Sequence, residues 1–290
     1  MAGSRRVPEG PAPDPAVQKL RIRYAKRGRM RFTSTRDFQR ALERAVRKAE
    51  LPMAYSAGFH PHPKISYANA APTGAASEAE YVEISLTRVV DPAQVVPALD
   101  AALPAGLDVL EVVDVAGEQG SLADRLEGSL WALRFRAGSG WDEEGMSSAV
   151  ADVLALEQLH VTRMMKNGPR DLDVRAAVVD LRVVPLDAPA APAAPAAPAA
   201  PAAPAAPAAR ATMAARAGAG TGPEELAQVP VEEGDVLLLA TLRHTTPTVR
   251  PEEIRGALEQ VAERELPRPV STRLRQGPLV DGQVAGSLTG

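Results

Sequence analysis

From Ala188 to Ala209 the chain repeats Pro-Ala-Ala, with a proline at every third position. Each proline removes a backbone donor and clashes with the preceding helical turn, so the tract cannot build a packed core and favours extended, polyproline-like states. The Ala, Gly and Arg-rich residues that follow, to about Gln228, have the same character. A disordered insertion is therefore expected over residues 188–229, and the sequence on either side must fold on its own apolar periodicity. A disordered tail is expected at 1–16, which is proline-rich, and a C-terminal tail at 281–290.

That periodicity runs in a repeated order. Leu20, Ile22 and Tyr24 alternate with Arg21 and Arg23, as in a strand with one buried face. After Gly28, a helix capped near Ser34 or Thr35 carries Phe38, Leu42, Ala45 and Ala49 as its apolar stripe and ends before Pro52. Lys64 to Tyr67 starts a short strand, and Val82, Ile84 and Leu86 alternate in the next. Asp91-Pro92 reads as an N-cap followed by a first-turn proline, with Val95, Val96, Leu99 and Leu103 buried behind it. Leu107 to Val115 closes the series as a strand.

Beyond it, Trp131 to Phe135, a helix through Met146, Val150 and Val153, strands at Leu159, Val178–Val184 and Val236–Leu242, a helix from Pro251 and a strand through Val270, Thr272 and Leu274 repeat the plan. The expected fold is α+β, two ferredoxin-like (βαββαβ) halves, the second interrupted by the Ala/Pro insertion. The expected boundaries are 17–117 for the first half, and 128–187 with 230–280 for the second.

Cysteine is absent, which excludes disulfides, thiolate metal sites, a cysteine nucleophile and Cys-ligated clusters. The chain is expected to bind no cofactor on its own. No apolar run approaches the roughly 20 residues of a membrane span, so a cytoplasmic protein without a membrane partner is expected. The net charge of -3 hides a strong segregation. Residues 17–50 are dominated by Lys and Arg, whereas residues 76–128 are dominated by Asp and Glu.

Two groups of residues point to chemistry. In Tyr55-Ser56-Ala57-Gly58-Phe59-His60-Pro61-His62-Pro63-Lys64, Pro61 and Pro63 hold His60 and His62 in extended geometry, and Lys64 adds an ammonium. The loop suits anion or nucleic-acid contact. An acid/base pair, a two-nitrogen metal site completed by Glu78 or Glu80, and a purely structural turn are the other readings. The second group is cationic: Arg21 and Arg23 on a strand, Lys26, Arg27 and Arg29 in the turn, and Arg36, Arg40 and Arg44 along the helix. The strand and turn cations are expected to converge with the loop around Lys64 on one surface of the sheet that meets RNA phosphates, and the helix arginines are further candidates for the same contact. Lys166 and Arg170 form a further basic turn.

Arg31-Phe32-Thr33-Ser34, Arg40-Ala41 with Arg44-Ala45, Leu51-Pro52, Ala54 to Phe59, Pro61-His62-Pro63-Lys64-Ile65-Ser66, Pro72-x-Gly74-x-x-Ser77 and Glu80-Tyr81 together resemble the radical-SAM-associated protein family. Lys166-x-Gly168-x-Arg170-x-Leu172-Asp173-Val174-Arg175 extends the likeness. Members are encoded beside, or fused to, radical SAM proteins that often carry a cobalamin-binding domain. The resemblance thus implies a radical SAM protein as partner. Where that family tends to place a histidine after the serine, this chain has Thr35, and position 60 varies in the family, which leaves His62 and Lys64 as the residues of a shared role.

The expectation is an accessory RNA-binding protein, tRNA being one candidate ligand, that works with a separate radical SAM enzyme and has no catalytic activity alone. Two alternatives stay open: an RNA-processing or phosphate-directed enzyme using His62 and Lys64, and a protein-interaction subunit that binds no nucleic acid.

Overall fold

The computed structural model describes residues 13–118, 120–186 and 226–285. The Ala/Pro tract, with the disorder expected of it, residues 1–12 of the N-terminal tail and residues 286–290 of the C-terminal tail lie outside the described residues. The fold is mixed α+β. The strands and helices run β1 (Gln18–Lys26), α1 (Thr35–Lys48), β2 (Ile65–Ala68), β3 (Ala76–Leu86), α2 (Pro92–Asp100), β4 (Val109–Asp114), α3 (Leu122–Arg125) and β5 (Gly128–Phe135). There follow α4 (Glu143–Ala155), β6 (His160–Met165), β7 (Gly168–Asp173), α5 (Val174–Ala177), β8 (Val178–Val184), β9 (Val236–Arg243), α6 (Pro251–Ala262), β10 (Val270–Gly277), β11 (Leu279–Val280) and β12 (Gln283–Val284). The chain divides into two compact units, one holding the residues up to Leu130 and those from Ser271 onward, the other Trp131–Val270. No helix among the described residues is long and apolar enough to cross a membrane.

In the first unit β1 lies between β3 and β4 and is antiparallel to both, while β2 pairs antiparallel with β3. Leu20 faces Ile84 and Ile22 faces Val82 across the β1–β3 ladder. The period-2 alternation sends these side chains to one side, where Phe38, Leu42, Ala45 and Val46 of α1 and Val95 and Leu99 of α2 close over them. Ser34 caps α1 by accepting the Asp37 N–H at 3.2 Å, and Asp91 caps α2 by accepting that of Ala93. The Tyr24 and Phe38 rings stack at 4.5 Å between centroids, tying α1 to the middle of the sheet. The other side of the sheet carries a smaller apolar patch, Ala79 and Tyr81 against Leu122 and Leu126.

The sequence reading closes the second half with the strand through Val270, Thr272 and Leu274. In the structure that strand, β10, is a neighbour of both β3 and β5 in the sheet order, and its Thr272 and Arg273 pair in parallel with Ala76 and Ser77 of β3. The cause is polar: Arg273 has its buried acceptors there, as described below. Ordered chain also extends beyond the expected limits, because Leu226 and Val229 are buried, as is Val284 of the β11–β12 hairpin.

The second unit contains β5 from Trp131 onward, then β9 and β8 in that spatial order, with β8 antiparallel to β9. The Ala/Pro tract falls between these two paired strands. Val184 faces Leu237, so the chain leaves and re-enters the ladder at neighbouring points. Between α4 and β8 stands a separate β6–β7 hairpin turning at Lys166-Asn167, with Gly168 at φ +107°, a conformation glycine adopts without strain.

Candidate functional site

The cations of β1 do not form an open basic surface. Arg21 is only 3% exposed; its Nε and Nη2 donate to Glu83 Oε1 at 3.1 and 2.8 Å, and Nη2 also donates to Glu118 at 2.8 Å. Lys19 Nζ sits 2.5 Å from the other Glu83 oxygen. Burial pushes the Glu83 carboxyl up, but hydrogen bonds from Lys19 and Arg21 outweigh it and hold the group below its ordinary value. Arg23 lies 3.4 Å from Glu111. Arg27 grips Glu78 with two nitrogens and donates to Asp108 at 2.9 Å, and the Glu78 hydrogen bond holds its guanidinium above the ordinary value. The reason is register: β3 and β4 flank β1 and bring the acidic stretch beside the basic one. The charge segregation seen along the chain is largely spent within this unit.

Lys26 is a different case. It is buried, and its ammonium donates to the Ala71 carbonyl at 3.3 Å. Glu80, buried near it, accepts from the Ala71 N–H at 3.1 Å and is gripped by Arg273. Arg273 further donates to the Asn69 carbonyl at 2.7 Å, to Gln276 at 3.1 Å and to Ser77 at 3.3 Å. One carboxylate thus serves two buried cations. Burial lowers the Lys26 pKa, Glu80 opposes the shift and Arg273 adds to it. A lysine that is a stronger acid in the fold than in the open chain disfavours folding while protonated. Stability therefore rises as the pH climbs through the folded-state value toward the unfolded ~10.4. A Lys26→Met variant is expected to equal or exceed the parent in stability near pH 7, since apolar replacement of buried charge is often neutral or stabilising. Its stability should also rise less between pH 8 and pH 10, which urea midpoints at the two pH values will read.

The outer face of α1 is built otherwise. Phe38, Ala41, Leu42, Ala45 and Val46 are its buried residues, and Arg36, Arg40, Arg44 and Arg47 are all exposed. At 100° per residue the four arginines share an arc of about 80° opposite the buried stripe. Among the described residues none of the four makes an ion pair, and neither does exposed Arg29 in the 3-10 turn (Gly28–Phe32) before the helix. Arg36 stands in the first helical turn, where the helix dipole favours an anion. Local stability does not account for a cation there.

The loop from Tyr55 to Pro63 leaves the sheet at the C-terminal end of α1, where Met53 bridges Leu86 and Ile65 pairs with Ile84. Tyr55 bridges Pro63, the Ser56 N–H donates to the His62 carbonyl at 2.9 Å, and the His62 N–H donates to Ser56 Oγ at 3.0 Å. Gly58 takes φ +134° at its tip. His60, His62 and Lys64 are exposed. No carboxylate orients either imidazole among the described residues, and no group of three or more His, Cys, Asp or Glu there could hold a metal ion. Glu78 and Glu80, the oxygens considered for a metal, are held by Arg27 and Arg273. Lys64 shares the parity of Ser66, which faces Glu83, and so lies on the sheet side opposite α1. Exposed Lys166 and Arg170 belong to the β6–β7 hairpin of the second unit.

Sequence reasoning missed the exposed rings. Phe32 is 62% exposed, with the Arg31 guanidinium 4.9 Å from its ring centroid, Phe59 is 63% exposed and Tyr55 37%. A signal existed: Phe32 and Phe59 lie outside every apolar period and sit beside Arg31, Gly58 and His60.

The first unit is thus an α+β scaffold presenting a cationic helix face beside a braced loop. The chain belongs to the family described as "uncharacterized protein conserved in bacteria" (DUF2344), whose model matches residues 19–198. No curated protein matches it.

Proposed function

We propose that this is an accessory protein of the cytoplasm that holds structured RNA through the outer face of α1 and acts with a separate radical SAM enzyme. The observation that carries the RNA reading is the contrast between the two sets of arginines. Those of β1 are matched to carboxylates, whereas Arg36, Arg40, Arg44, Arg47 and Arg29 are exposed without acidic partners among the described residues. Arginines at i, i+4 and i+8 recur about every 6 Å along a helix, which suits successive contacts to a phosphodiester backbone. The radical SAM partner rests on the family resemblance, and the cluster would be that partner's, in keeping with a chain that has no cysteine.

A ferredoxin-like reading of the two halves accompanies this proposal. The βαββαβ order of β1 to β4 with β1 between β3 and β4 supports it, as does the succession β5, α4, β8, β9, α6, into which β6, β7 and α5 are inserted between α4 and β8.

The test is binding of the protein to an RNA hairpin between 50 and 200 mM salt. The logarithm of the affinity should fall linearly with the logarithm of the salt concentration, and Arg40→Gln should reduce the slope by about one. No binding at 50 mM salt, or an unchanged slope in Arg40→Gln, sinks the α1 reading. Recovery of the native complex, with its RNA and proteins identified, tests the radical SAM partner.

A further inference from the structure

The chain has ten aromatic residues, since Trp, Tyr and Phe number 2, 4 and 4. Three of them, Phe32, Tyr55 and Phe59, are exposed, and all three lie at the ends of α1. Phe32 closes the 3-10 turn just before the Ser34 cap, and the loop carrying Tyr55 and Phe59 leaves the sheet where α1 ends. The helix between the two aromatic positions has 14 residues and is roughly 20 Å long. Arginine and phosphate alone do not call for rings. Exposed planar side chains add a different chemistry, because unpaired nucleobases stack on aromatic rings and guanidinium planes whatever their sequence.

We infer that the ligand of this face is RNA with unpaired nucleotides: the arginines of α1 hold phosphates, while Phe59 and the Arg31–Phe32 pair stack bases splayed out of the helix. This rests on the RNA reading above. Both positions are braced as a stacking platform needs to be. The Tyr55–Pro63 bridge and the reciprocal Ser56–His62 hydrogen bonds fix the base of the loop beneath Phe59. The Phe32 ring is held against Arg31, and the chain just after it by the Thr33 N–H, which donates to the Met30 carbonyl at 2.9 Å. Exposed His60 and His62 add two more planar rings on the same loop.

The experiment compares two probes with equal numbers of phosphates at low salt, an RNA hairpin with an unpaired loop and a blunt RNA duplex. Phe59→Ala is expected to weaken hairpin binding about tenfold and leave duplex binding unchanged, with Phe32→Ala acting in the same direction. Phe59→Trp should keep the hairpin affinity, and its fluorescence should be quenched on binding. Equal losses on both probes, or none on either, overturn the inference and leave the phosphate reading standing. If Phe59→Ala binds both RNAs normally but loses a co-purifying protein, the rings serve a protein partner and the inference is wrong. If the parent binds neither probe, the RNA reading fails and takes this one with it.

Discussion

Replacing Glu80 by alanine is expected to lower the stability of the first unit by about 3–5 kcal/mol, the usual penalty for removing one partner of a buried ion pair. Glu80 is 1% exposed and Arg273 3%, so neither water nor another carboxylate takes over when the side chain is gone. The acceptors Asn69, Gln276 and Ser77, which Arg273 also uses, are neutral and do not replace the lost carboxylate. The Ala71 N–H loses its acceptor as well. Lys26 also feels the Glu80 charge, so the deletion takes from two buried cations the carboxylate that acts on both. Such a loss is a large part of the 5–15 kcal/mol of an ordinary domain. Urea unfolding followed by circular dichroism and by the signals of Tyr24, Tyr67 and Tyr81, all in the first unit, will measure it. Trp131 and Trp141 lie in the second unit, so their fluorescence follows that unit separately. The double variant Glu80→Met with Arg273→Met should recover much of the loss, because it removes both charges together. If the single variant unfolds at the parent's urea concentration, the pair carries no such weight.

Reversing Arg36, Arg40 and Arg44 to glutamate is expected to weaken hairpin RNA binding at 50 mM salt by at least about 100-fold, since three phosphate contacts become repulsive. The melting temperature should move by only a few degrees, because the three side chains are exposed and make no ion pair among the described residues. The control is Lys166→Glu with Arg170→Glu on the β6–β7 hairpin, two cations outside α1 that are also exposed. If the control weakens binding as much as the α1 variant does, attraction is a matter of total charge and the helix face has no special part. The β1 arginines make poor probes of the same question. Neutralising Arg21 breaks its pairs with Glu83 and Glu118, and any loss of binding would be confused with loss of fold.

The local signals in this chain were legible because they depend on residues within one turn or one strand. Ser34 with Asp37 marks the start of α1, Asp91-Pro92 the start of α2, and the alternation of Leu20, Ile22 and Tyr24 the strand β1. The apolar stripe of α1 also leaves its arginines on the outer side by geometry alone. Strand β7 gave no such signal, since Gly168-Pro169-Arg170-Asp171 has no apolar alternation and forms by pairing with β6.

Exposure on β1 was illegible for a related reason. Alternation divides Arg21 from Leu20 and Ile22 but says nothing of what covers the second face, and here Glu83, Glu118 and the Leu122–Leu126 patch do so. The expected surface of Arg21, Arg23, Lys26, Arg27 and Arg29 with Lys64 is affected on the same point, since Arg21 and Lys26 are buried. Least legible was the return of β10 to β3, because Arg273 and Glu80 meet across 193 positions of sequence and neither carries a local mark of the other.

That separation has a consequence for how the protein is made. As the ribosome releases the chain, Glu80 emerges long before its partner, and at 5–20 residues per second the intervening 193 positions take roughly 10–40 s to translate. Throughout that interval β3 lacks β10 along part of its edge, and a carboxylate destined for the interior has no arginine. The first unit to begin synthesis is therefore the last to be completed, after the whole of the second has left the ribosome.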